Sequence, residues 1–201
     1  MVKTERPVLM SGENPGLTLY APGTDEAVAI VSYWYCTDSP FGVGHALVLW
    51  LAEGAVPVGP WGAGGILTDN QPLAAALVNR LTRHFPEFSA VPVAGLPYIE
   101  ARCQHTYDGA IYRVTGQAAD REVTVEWQSP LERKRIVWPA FPAGEAAYDL
   151  STVICPCQAG QIWLDGAALA GAVRVGQAAD GTPSSSAFLA FAESWVGPVE
   201  G

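Results

Sequence analysis

Two apolar rhythms run through this chain. Residues 27 to 36, "AVAIVSYWYC", and 44 to 53, "GHALVLWLAE", are almost continuously apolar or aromatic, and they predict two long strands joined by "TDSPFGV". The period then changes. Within "LTDNQPLAAALVNRLTRHFPEFSA", residues 67 to 90, the apolar positions Leu73, Ala76, Leu77, Leu81 and Phe85 fall three and four apart, which predicts an amphipathic helix over 71–85. Asp69 and Asn70 are natural N-cap residues, and Pro72 is tolerated in the first turn. Arg80, Arg83 and His84 suit the negative end of the helix, and Pro86 stops it.

Strand rhythm returns afterwards. "YIEARCQHTYDGAIYRVTGQ" reads as a hairpin turning at Asp108-Gly109, and Asp165-Gly166 and Asp180-Gly181 are further two-residue turn signals. Other strands are predicted at 16–21, 121–128, 133–138, 161–165, 170–177 and 186–195, with "GAVPVGPWGAGG" (54–65) as a long connection. One helix among so many strands predicts a mainly β, α+β protein: a curled sheet or barrel with the helix over an open face or mouth. Residues 1–201 are expected to form a single domain, with 1–10 as a flexible N-terminal tail.

Composition narrows the function classes. At 201 residues, 49% apolar and 15% charged, the chain can bury a real core and is not a disordered sequence. No apolar run is long enough to cross a bilayer as a helix, and "MVKTERPVLM" lacks the hydrophobic stretch of a secretory signal, so a cytoplasmic protein without a membrane partner is expected. The net charge of −9 disfavours nucleic acid. The one basic cluster, "ERKR" at 132–135, reads as a solvated turn or strand edge.

Several candidate chemistries can be weighed. Cys103/His105 and Cys155/Cys157 are spaced i, i+2, so each pair shares a strand face and the four could make a Cys3His site. Structural zinc sites favour wider spacings on turns, and free cysteines are most often small core residues, so no metal is expected. No Gly-x-Ser-x-Gly accompanies the serines, and no glycine-rich loop opens the helix, which argues against a hydrolase triad and a phosphate cradle. Trp34, Trp50 and Trp127 could line an apolar pocket or simply form core. His45, at the start of a long strand, could be a general base or a structural histidine.

The order of these features resembles the acetoacetate decarboxylase family. "SPFGVGHALVLWL", a Gly-rich connection, "LTDNQP", a helix carrying Arg80, a Phe-Pro break and the strands to about residue 128 follow that family's order. The helix is two residues longer than the family's, and the C-terminal seventy or so residues match only as generic strands. The resemblance implies a closed, cone-like antiparallel β-barrel around a small apolar pocket; a lipocalin/calycin-like barrel is the alternative. It also implies a Schiff-base lysine in a Pro-Lys-Lys, made nucleophilic by a lowered pKa. Here Pro86 is followed by Glu87 and Phe88, and the only lysines are Lys3 and Lys134. Schiff-base decarboxylation is therefore not expected.

His45 stands about where the family has an acidic residue and could form an acid/base pair with Glu87. Arg80 would then bind an anion, and Phe88, Trp34 and Trp50 would line the pocket. The expected ligand is a small carbonyl or carboxylate compound, handled by a lyase-type or acid/base enzyme that uses no cofactor. The alternatives are a non-catalytic binder of a hydrophobic molecule and a homo-oligomer subunit pairing strands 27–36 and 44–53 across an interface.

Overall fold

The two long apolar runs become strands covered on both faces. The protein is described here by a computed structural model covering residues 6–56 and 60–197. In chain order the strands are β1 (Val8–Glu13), β2 (Gly16–Tyr20), β3 (Ala27–Asp38), β4 (Gly44–Leu51) and β5 (Gly64–Thr68). Helix α1 (Gln71–Arg80) follows, then β6 (Tyr98–Glu100), β7 (Arg102–Tyr107), β8 (Ile111–Gln117) and β9 (Glu122–Pro130). The remainder is β10 (Lys134–Ala143), the long β11 (Ala146–Leu164), β12 (Ala167–Ala168), β13 (Val175–Gln177), β14 (Pro183–Ser185) and β15 (Ala187–Val196). The molecule is therefore mostly β with a single α-helix among the described residues, as the apolar periods predict.

β3 and β4 pair antiparallel from Ala29↔Leu51 to Cys36↔Gly44. Alternate side chains go to two different cores. Val31, Tyr33, Leu47 and Leu49 enter an inner core shared with β8, β9, β11 and β15. Ile30, Trp34, Ala46 and Val48 enter an outer core under α1. A strand buried on both faces loses the polar alternation of a half-exposed one, which explains the continuous apolar runs.

The main sheet runs β6-β5-β4-β3-β1-β15-β11-β9-β8-β7, with β2, β10 and β12 paired beside it. Its two ends, β6 and β7, are separated in the chain by Ala101 alone, so the two edges of the curled sheet lie near one another. Gly116 on β8 lies so close to β5 and β4 that an added Cβ would stand 3.0 Å from Leu67 and 3.2 Å from Leu47. This order is not the sequential antiparallel meander of a lipocalin-like barrel, and the β5–β6 pair is parallel. All three Asp-Gly signals do turn hairpins, joining β7 to β8, β11 to β12 and β13 to β14.

Other expectations are corrected. Val8–Met10, expected in a flexible tail, belong to β1, and Met10 is fully buried. The helix ends at Arg80 rather than Phe85, because Leu81 leaves helical backbone at φ −125° and Pro86 holds Phe85 extended. Short 3-10 turns over Thr82–His84, Pro86–Phe88 and Val93–Gly95 replace its last turns. The expected strand over 170–177 reduces to a Tyr20–Ala172 bridge and β13. β3 and β4 are each paired on both edges within the chain, so neither has a free edge for the expected pairing across a subunit interface. No helix among the described residues is long and apolar enough to cross a membrane.

Candidate functional site

The feature that organises the site is "TDN", residues 68–70, between β5 and α1. Asn70 caps the helix, its side chain accepting the Leu73 N–H at 3.2 Å. Its amide N–H groups bond the carbonyls of Phe41 and Val43. Thr68 donates to the His45 carbonyl at 2.6 Å and accepts the Asn70 N–H at 2.9 Å. The helix entrance thereby holds the loop that leads into β4. Asp69, released from capping, turns to His45: Oδ1 accepts the His45 backbone N–H at 2.7 Å and Oδ2 lies 2.6 Å from Nδ1. Gly44 makes this approach possible, since a Cβ there would stand 2.7 Å from Asp69 Oδ1.

His45 shares the inner face with a group of rings. Tyr35, its register partner on β3, stacks on it with centroids 5.1 Å apart. Tyr33, two residues away and so on the same face, places its hydroxyl 3.2 Å from His105 Nδ1. His105 lies 4.6 Å from Tyr35 and stacks on Tyr112 at 5.4 Å. The Tyr112 hydroxyl donates to Glu13 Oε2 at 2.6 Å. A pocket of about 750 Å³ opens over Tyr35, Gly44, His45 and Asp69.

Burial acts on the protonation of His105, Tyr33, Tyr112 and Cys103. It holds His105 below the ordinary imidazole value, opposed by the Glu13 carboxylate and assisted by His45. Burial also pushes the Tyr33 and Tyr112 hydroxyls far up, with neighbouring acidic groups adding to the effect. The Cys103 thiol is pushed up to about 12 by burial, and Asp69 adds to it. At neutral pH these three groups keep their protons, so Cys103 is no thiolate nucleophile.

The expected site residues divide. His45 lies in the cluster; Glu87 does not. Glu87 sits in the Pro86–Phe88 turn on the outer cover, where burial raises its pKa, and no hydrogen bond joins it to His45. His45 alternates with the inner-core positions Leu47 and Leu49 of β4, whereas Glu87 lies between Phe85 and Phe88 of the outer core. Arg80 is exposed at the end of α1, with its guanidinium 5.1 Å from the Phe41 ring centre. Phe88 and Trp34 are buried in the outer core, where Trp34 donates to Thr82 at 2.9 Å, and Trp50 packs against that core. All four are packing or surface residues there. Trp127 alone among the expected tryptophans is on the inner side, donating to the Gly16 carbonyl.

Lys134 is exposed and paired with Asp180, and Lys3 lies outside the described residues. The first strand after the helix to reach the inner core is β6, and it presents Ile99 there. Cys103, Cys155 and Cys157 are all free and buried in the inner core, as the apolar character of a free cysteine suggests. Among the described residues, no group of three or more His, Cys, Asp or Glu side chains is arranged to hold a metal ion.

Sequence reasoning missed Asp69 as a functional partner because it read as a helix cap. It met His105 only as a metal ligand and did not single out Tyr33, Tyr35, Tyr112 or Glu13. The available signal was polar aromatics recurring at i, i+2 inside apolar strands. No protein-family model matches the chain, and no match is found among curated protein sequences.

Proposed function

We propose that this protein is an acid/base enzyme, of lyase or related type, acting on a small carbonyl compound. Its scaffold is a closed, cone-like β-barrel of the acetoacetate decarboxylase type that has lost Schiff-base chemistry. The observation that carries this is the two-point Asp69–His45 contact beside His105 and Tyr33. A carboxylate orienting an imidazole, with further proton donors on the neighbouring strands, is the arrangement that proton transfer needs. The adjacency of β6 and β7 in the chain supports closure of the barrel. The carboxylate half of the expected substrate range loses support, since Arg80 stands on the outer surface.

The test is hydrogen–deuterium exchange at carbon. A panel of small enolisable ketones incubated with the protein in D2O, followed by NMR, reports proton abstraction whatever the final product. Exchange is expected with at least one ketone. His45→Ala should abolish it, and Glu87→Ala should leave it within about twofold, because an outer-cover residue touches no reacting atom. No protein-dependent exchange across the panel would sink the reading.

A second reading is favoured by the rings of Tyr33, Tyr35, Tyr107, Tyr112 and Phe191 at the same end. They suit non-catalytic binding of a hydrophobic molecule. Quenching of Trp127, 5.8 Å from Tyr112, by a ligand that never exchanges a proton would favour it.

A further inference from the structure

His45 and His105 stand 6.3 Å apart between ring centroids, and their hydrogen-bond partners are of opposite kinds. An ionised Asp69 can only accept, so its contact at His45 Nδ1 requires a proton on that nitrogen. The second Asp69 oxygen, held by the His45 backbone N–H, keeps the carboxylate from turning away. In the neutral ring Nε2 is then bare. At His105 the partner of Nδ1 is the Tyr33 hydroxyl. Tyr33 is fully buried, and among the described residues its hydroxyl has no other hydrogen-bond partner. A proton on His105 Nδ1 would leave that O–H buried without an acceptor. The O–H therefore donates to Nδ1, and the proton of neutral His105 sits on Nε2. Neither Nε2 is hydrogen-bonded among the described residues.

We propose that the site offers a bare Nε2 on His45 and an Nε2–H on His105 to one uncharged, enolisable carbonyl compound. His45 acts as base toward the carbon beside the carbonyl, and His105 donates to the carbonyl oxygen. This rests on the acid/base function proposed above. The C–H bond breaks as an N–H bond forms at His45 Nε2. The electron pair becomes the C=C bond of an enolate, whose oxygen takes the charge against the His105 N–H. The proton returns to carbon in the reverse step. A neutral imidazole donor suits this step, and burial keeps His105 neutral.

The substrate class follows from charge. Asp69 and Glu13 both stand in the cluster, and among the described residues no Lys or Arg side chain hydrogen-bonds to them, to either histidine or to Tyr33 and Tyr112. A substrate carboxylate would meet two acidic side chains and no hydrogen-bonded cation to offset them, which is a cost rather than an attraction.

Long-range 15N–1H NMR of the imidazoles in the full chain at neutral pH tests the assignment, with His84→Gln removing the third signal. The expected spectrum shows Nδ1–H on His45 and Nε2–H on His105. Tyr33→Phe should erase the His105 preference, leave the His45 pattern, and lower the exchange rate constant about 10²-fold with little change in KM. A ketone should exchange at least about tenfold faster than its keto-acid counterpart. Nδ1–H on both rings, or a keto acid exchanging faster than the ketone, overturns the proposal while His45-dependent exchange still supports the base. Opposite tautomers without any His45-dependent exchange overturn the acid/base function itself, and the carbonyl role with it.

Discussion

Asp69 and Asn70 stand side by side at the entrance of α1, and only Asn70 caps it. The division matters chemically, because a capping Asp69 would spend its oxygens on the helix. Replacing it should separate the two roles. Asp69→Asn retains the shape but no longer dictates the His45 tautomer, so the exchange rate is expected to fall about 10²–10⁴-fold with the melting temperature little changed. Gly44→Ala should cause a comparable fall through a different atom, since its Cβ would stand 2.7 Å from Asp69 Oδ1. Full exchange by both variants would show that the Asp69–His45 contact is not used. From the sequence, His45 was legible as a candidate base, whereas Glu87 drew attention only through its place after Pro86. A one-dimensional position after a helix does not say which side of a sheet the turn covers, and here it is the outer side.

At the scale of elements, α1 answers two demands. Leu73, Leu77 and Val78 bury fully against the outer core, each worth about 1.5–3 kcal/mol. Its N-terminus fixes the loop before His45. Asn70 serves both demands, so Asn70→Ala should destabilise the fold by about 1–2 kcal/mol and also slow exchange. A denaturant titration beside the exchange assay checks this; loss of stability with unchanged exchange would confine Asn70 to capping. The helix and its Pro86 boundary were legible because period and capping are local. The early departure at Leu81 was not, because the break serves packing: the turn at 82–84 supplies the Thr82 hydroxyl to Trp34, and Phe85 stacks on Trp34 and Trp195.

At the scale of the whole molecule, curling the sheet produces two cores, and the outer one encloses a carboxyl group. Glu193 on β15 is buried, accepts the Trp195 indole N–H at 2.6 Å, and has its pKa pushed up to about 8 by burial. The unfolded chain releases that proton near its ordinary value of 4.5. Between the two values the folded chain holds the extra proton, so this group lowers stability as pH rises through the window. Glu193→Gln keeps the acceptor without the charge. It should raise the melting temperature by a few degrees near pH 8, make no difference near pH 4, and flatten the profile between; parallel profiles would refute this. The sequence by itself determined the elements: strands from continuous apolar runs, hairpins from Asp-Gly pairs, and one helix from its period, because each depends on neighbours a few residues away. The tertiary structure alone decided the site. Glu13, Tyr33, His45, Asp69, His105 and Tyr112 come from six separate segments, and only the curl of the sheet, with the alternation of its side chains, sends them to one face and Glu87, Arg80 and Trp34 to the other side.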